Sequence, residues 1–127
     1  MKNVEFKKEL EERTKGFAVA VVQFCMFLRK LDIPYVLLDQ LIKSSTSVGA
    51  NYREANRAES KKDFIHKIAI IEKEASETVY WLEIYKESNI IPDSMNKKLD
   101  RLHKESDELL RIFSSISRTA RTNELTN

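Results

Sequence analysis

Residues 44–60 read SSTSVGANYREANRAES. A run so small and polar has the look of a loop, yet it holds no proline and one glycine, and it lies between two strongly helical segments. Leu38, Leu41, Ile42, Ser45, Val48, Tyr52 and Ala55 decide the matter, because their three-and-four spacing carries one helical stripe straight through the run. The run is therefore helix. Ser and Thr are mediocre helix formers, so packing must hold it. The small side chains of Ser44, Ser45, Gly49 and Ala50 suit close approach of neighbouring helices.

On the N-terminal side, Phe6, Leu10, Phe17, Phe24, Phe27 and Leu31 alternate steps of four and three, with Arg13 and Ala20 filling the seam. This spacing predicts a first helix over about 5–31. Within it, Phe17 to Leu28 (FAVAVVQFCMFL) has one polar residue, Gln23, and is apolar around nearly its whole circumference. A membrane span needs roughly 20 such residues, so the run is too short. It reads instead as a helix covered on one side by its own chain and on the other by a second copy, with Phe17, Val21, Val22, Cys25 and Met26 as the candidate oligomer interface. Asp32 and Pro34 then close the first helix and open a second over about 34–58, Asp as a cap and Pro in the first turn.

On the C-terminal side, SKKD at Ser60 to Asp63 is a variant capping box. Phe64, Ile68, Ile71, Ala75, Thr78, Leu82 and Tyr85 form the seam of a third helix over about 60–88, stopped by SNIIPD. Leu99, Leu102, Ser106, Leu109, Phe113, Ile116 and Ala120 keep a seven-residue repeat in a fourth, over about 93–120, after which TNELTN (122–127) has no period and is expected to fray. Four helices of similar length with short links predict an all-α fold over residues 1–121, an antiparallel up-and-down four-helix bundle.

Composition agrees. A chain of 127 residues supports one domain, and 33% charged residues with two Gly and two Pro favour helices over strands. The net charge of +2, with both signs mixed along the chain, excludes a basic arm that binds nucleic acid by charge alone. One cysteine, Cys25, forbids an intrachain disulfide, and the opening MKNVEFKKELEER has no apolar secretory core. A cytoplasmic protein is expected, with no membrane partner.

Chemistry is sparse. Asp63 with His66, and Asp100 with His103, each place a carboxylate and an imidazole three apart, as two-metal bundles do with Glu. In the expected register, however, the two histidines stand about 18 Å apart at 1.5 Å per residue, so no metal site is assigned. Ser94 and Lys97 match S-x-x-K without its companion motifs, Cys25 lies in the most apolar run, and Gly49 alone cannot cradle a phosphate. No enzyme, cofactor or small-molecule substrate follows. Asn51, Glu54 and Arg57, at steps of three, are either a polar network that fixes register or a solvated face. Arg53, Arg57, Lys61 and Lys62 gather where the second helix gives way to the third, and Arg111, Arg118 and Arg121 recur near the end of the fourth. In an antiparallel bundle they form one basic end, and Arg53, Arg57, Lys61, Lys62, Arg118 and Arg121 are the candidate nucleic-acid contacts, with few aromatics for stacking on bases.

The stretches SVGANYREA, ESKKDFIHKI and EASETVYWLE, in order and within Ser44 to Glu83, resemble the central signature of the bacterial four helix bundle proteins. That family is also named for the protein encoded in the intervening sequence of 23S ribosomal RNA, or S23. The resemblance implies a cytoplasmic bundle assembled as a homopentamer. Accessory variability proteins of retroelements are similar in fold and act as basic partners of a reverse transcriptase and its RNA. Asn51 and Glu54 match the family's N-x-x-E, to which no catalytic role attaches. The expectation is a non-enzymatic oligomeric scaffold that contacts RNA or a ribonucleoprotein. The alternatives are a protein-binding adaptor and, more remotely, a metal-carboxylate bundle enzyme.

Overall fold

The computed structural model describes residues 2–126, with side chains from 3 to 123. Among these residues there are four α-helices and no strand: α1 (Lys2–Leu28), α2 (Tyr35–Ala55), α3 (Lys61–Glu87) and α4 (Asn96–Thr126), the last preceded by a single 3-10 turn, Asp93–Met95. The boundaries follow local chemistry. Ser60 Oγ accepts from the Asp63 amide at 3.1 Å, which is half of the expected capping box, and Asn89 takes the left-handed conformation (φ 57°) that ends α3 before Pro92.

Several boundaries depart from expectation, among them the end of α2, at Ala55 rather than 58. α1 stops at Leu28, and Leu31 lies in a tight turn, because the amides of Lys30 and Leu31 drop to bonds three residues back. Pro34, not Asp32, is the residue before α2, and no side chain caps that end. At the C-terminus, α4 continues through Thr126 where fraying was expected from 122, so loss of the apolar period does not stop the helix.

Cross-helix contacts define the packing. As α2 runs from Leu37 to Ser44, its partners on α3 run back from Tyr85 to Thr78: the Tyr85 hydroxyl donates to the Leu37 carbonyl at 2.7 Å, and Thr78 and Ser44 share a buried hydrogen bond at 2.9 Å. Asn56 on the end of α2 reaches Glu11 of α1 at 2.9 Å. Lys86, near the end of α3, meets Asp100, near the start of α4, at 3.1 Å. α1 leans on α2 and touches α4 more sparsely, and among the described residues its backbone does not come within 8 Å of that of α3, Cα to Cα.

The core is the set of inward seams. Phe17, Phe24, Leu41, Val48, Ile71, Leu82, Leu109 and Phe113 are all buried, and Tyr52 meets Phe113 edge to face at 5.2 Å between centroids. Each such side chain contributes about 1.5–3 kcal/mol when taken from water. The seam fails at the ends of α1. Phe6 is exposed because α1 overhangs the end of α2, and Phe27 lies well off the buried stripe of Phe17, Val21, Phe24 and Leu28.

The small residues of the opening run act as expected at two levels. Ser44 and Ser45 are buried, Ser44 against Thr78 of α3. At Gly49, an added Cβ would stand 3.0 Å from Thr14 Oγ1 and 3.2 Å from Thr14 Cβ, so glycine is what lets α1 and α2 close on each other. Ala50 is exposed.

Candidate nucleic-acid interface

The end of α2, the start of α3 and the end of α4 come together at one pole of the molecule. A cleft of about 400 Å³ there is walled by Lys61, Phe64 and Ile65 from α3 and by Ile116, Thr119 and Ala120 from α4, which fixes the juxtaposition. Among the described residues Arg57, Lys61, Lys62, Arg118 and Arg121 are exposed at this pole with no ion-pair partner, whereas Arg53 lies 3.9 Å from Glu11. Exposed, unpaired cations keep their full field in the water outside, which is what a polyanion senses. The sequence-derived basic set is thus brought to one end, with Arg53 partly neutralised. Arg111 stands apart from it, beside Phe6, Glu108 and Ile112 in the groove between α1 and α4.

The Asn51, Glu54 and Arg57 network is not formed. Asn51 Nδ2 donates to the Ser47 carbonyl at 2.8 Å, Glu54 is exposed with no ion pair, and Arg57 falls beyond the end of α2 at Ala55. Steps of three bring side chains together only while the helix lasts, so the third member is lost. What sequence reasoning missed is the clamp one helix away. Arg13 forms a two-pronged pair with Glu105 of α4, at 2.7 and 2.8 Å, and lies 3.1 Å from Glu108. The hydrogen bond that Arg13 donates to Glu105 holds the guanidinium above its usual range, against the opposing effect of burial. A charged residue at a seam position, Arg13, was the available signal.

The candidate oligomer interface also needs correction. Phe17, Val21 and Cys25 are buried in the subunit's own core and cannot meet a neighbour. Burial pushes the Cys25 thiol up to about 12, with Arg29 acting weakly the other way, so it is an inert core thiol. Only Val22, half-buried, and Met26, 51% exposed, look outward, joined by Val19 at 47%. A second apolar face was not anticipated: Tyr80, 54% exposed, stacks edge to face on Trp81 at 5.3 Å, with Ile84 one turn on.

The histidine pairs are far apart. His103 meets Lys86, which is 20 residues beyond His66 on α3, or about 30 Å along the helix. The Lys86 ammonium, 3.1 Å from Asp100 and 3.4 Å from His103 Nδ1, takes the place a metal would need. Among the described residues no group of three or more His, Cys, Asp or Glu side chains converges as a metal site. Ser94 and Lys97 are both exposed, with no hydrogen bond between them. No described helix is long and apolar enough to cross a membrane.

The fold and this surface define an all-α protein of four helices with exposed cations gathered at one pole. The chain matches the family described as 23S rRNA-intervening sequence protein over residues 7–115, and it belongs to that family. It is also similar to a crystal structure of a protein with unknown function from the S23 ribosomal protein family of Bacteroides thetaiotaomicron. The two are 36% identical, with 84% of this chain and 96% of that chain covered, at a TM-score of 0.76. No curated protein matches.

Proposed function

We propose that this protein is a non-enzymatic, cytoplasmic subunit of a homo-oligomer that holds RNA or a ribonucleoprotein through its basic pole. The observation that carries this reading is the convergence of Arg57, Lys61, Lys62, Arg118 and Arg121, from three separate helix ends, with no acid among the described residues paired to any of them. Phosphate contacts of this kind position a backbone without reading sequence.

Assembly supports the reading. The subunit is an antiparallel up-and-down bundle, and α1 and α3 lie diagonally across it. The apolar face of Val19, Val22 and Met26 therefore looks away from that of Tyr80, Trp81 and Ile84. Two unlike faces on opposite sides suit head-to-tail contact, which closes into a ring when the rotation per subunit allows. A pentamer is the count that the resemblance to the family implies. A ring would present the basic pole once per subunit and multiply its field.

The test is retention of RNA by the purified protein as a function of salt. Affinity falls steeply between 50 and 200 mM salt if several phosphates are held, and the slope flattens by about one unit for each cation removed. A Lys61→Glu, Lys62→Glu, Arg118→Glu variant loses retention while keeping its oligomeric state. Affinity independent of salt means the basic pole binds no RNA, and a protein-binding adaptor replaces this reading.

A further inference from the structure

At the pole opposite the basic one, the second half of α1 and the start of α4 part to leave a cleft of about 280 Å³. Its walls are Ala20, Phe24 and Phe27 from α1, Met95 from the 3-10 turn and Leu102 from α4. This volume lies just under the lower edge of small-molecule sites, about 300 Å³. α1 carries alanine at position 20 of this wall, and Phe27 is 44% exposed. Its mouth is charged. Lys98 and Arg101, one turn apart on α4, both line it, and neither has an ion-pair partner. Two acids near them on α4 are engaged elsewhere: Asp100 pairs with Lys86 at 3.1 Å, and Glu105 pairs with Arg13 at 2.7 Å. Gln23, also at the mouth, has a side-chain amide with no hydrogen-bond partner.

We propose that this cleft binds a small amphiphilic anion, a medium-chain fatty carboxylate, with its chain on Phe24, Phe27 and Leu102 and its headgroup between Lys98 and Arg101. Each half of such a ligand answers one half of the site. The chain removes apolar wall from water, and the carboxylate meets two cations with no ion-pair partner. A neutral alcohol or sugar headgroup satisfies only the first half. A double-chain lipid exceeds the volume, so the ligand is taken from solution rather than from a bilayer. The cations of this cleft are separate from those of the basic pole, and the proposal does not depend on RNA binding.

The test titrates the full-length protein, in its native assembly, with decanoate below its micellar concentration, by calorimetry and by the carboxyl resonance of carbon-13-labelled decanoate. The expected result is saturable binding at one site per subunit, with the bound carboxyl titrating at lower pH than the free acid. Lys98→Glu with Arg101→Glu weakens it at least tenfold, and decyl glucoside binds at least tenfold more weakly than decanoate. Both cations are exposed, so the variant keeps its circular dichroism and melting temperature. Should it not, Lys98→Met with Arg101→Met serves in its place. Absence of saturable binding, equal affinity for the neutral ligand, or indifference to charge reversal overturns the proposal. Retention on anionic phosphatidylglycerol vesicles without binding of free decanoate overturns it too, in favour of a membrane surface.

Discussion

Arg13 and Glu105 join α1 to α4 through two parallel hydrogen bonds, at 2.7 and 2.8 Å, on the side of the bundle where these helices touch least. The two side chains are 34% and 31% exposed, so solvent screens the pair and its worth is that of a well-formed surface bridge rather than a buried one. Arg13→Ala or Glu105→Ala should each lower stability by about 1 kcal/mol, with most of that appearing as coupling in a double-mutant cycle. Arg13→Lys should recover little of it, since an ammonium cannot make the two-pronged contact. Urea unfolding at low and at 1 M salt checks this, and a coupling of zero at low salt would show that the clamp is only geometric.

Gly49 and Ala50 are neighbours in sequence with opposite surroundings. Leucine at position 49 must displace Thr14, and an overpacked site of this kind costs about 1–3 kcal/mol. Leucine at position 50 points into water in the single subunit and should change unfolding free energy by less than about 0.5 kcal/mol. Size-exclusion chromatography with light scattering separates the remaining possibility for Ala50: if its leucine variant alone changes the subunit count, that face lies in the assembly contact.

The helical reading of residues 44–60 holds as far as Ala55, because buried positions at three-and-four spacing follow directly from helix geometry. The same spacing places Ile68, Ile71, Ala75, Thr78, Leu82 and Tyr85 in the core. Phase was harder to read than period. In FAVAVVQFCMFL almost every position is apolar, so composition does not say which side faces inward, and the subunit's own core takes Phe17, Val21 and Cys25 from the expected interface. Helix ends were harder still. The Asn51, Glu54 and Arg57 network required α2 to continue past Ala55, and the chain turns at Asn56 instead. The basic pole was legible because it needs only the order of helix ends, whereas the cleft between α1 and α4 depends on how far two helices stand apart, which no local pattern records.

Ser44 and Thr78 offer a test of how the small polar residues of the run hold α2 to α3. Each hydroxyl has one proton, and the Thr78 oxygen lies 2.9 Å from Ser44 Oγ and 2.8 Å from the Glu74 carbonyl, so the two protons serve the Ser44–Thr78 bond and one bond back to a helix's own carbonyl. Ser44→Ala should cost about 1 kcal/mol by leaving Thr78 without its cross-helix partner. Thr78→Val should cost about as much for the mirror reason. Replacing both removes both stranded groups, and the double variant should be no worse than the poorer single one. Chemical denaturation of the three variants decides it, and strictly additive losses would mean the bond contributes nothing of its own.

Tyr85 and Cys25 should together make the fold sensitive to alkali. Burial holds the Cys25 thiol at about 12 against an ordinary value of 9.0, and it raises the Tyr85 phenol above its own ordinary value of 10.0, with Cys25 adding to that. Between pH 9.0 and about 12 the unfolded chain has released the thiol proton while the folded one keeps it. The unfolded state then binds fewer protons, so stability is fully present below pH 9.0 and falls as pH rises through this window, by at most about 1.4 kcal/mol per unit for one group. Cys25→Ala leaves a small cavity and lowers stability at neutral pH, yet its decline from pH 9 to 11 should be shallower than that of the parent chain, because the thiol's share is gone while the burial that chiefly raises Tyr85 remains. Urea titrations at each pH measure the two slopes. Equal slopes, or rapid labelling of the native thiol by Ellman's reagent at pH 8, would show that Cys25 ionises as freely as a thiol in water and that the α1 core is open to solvent.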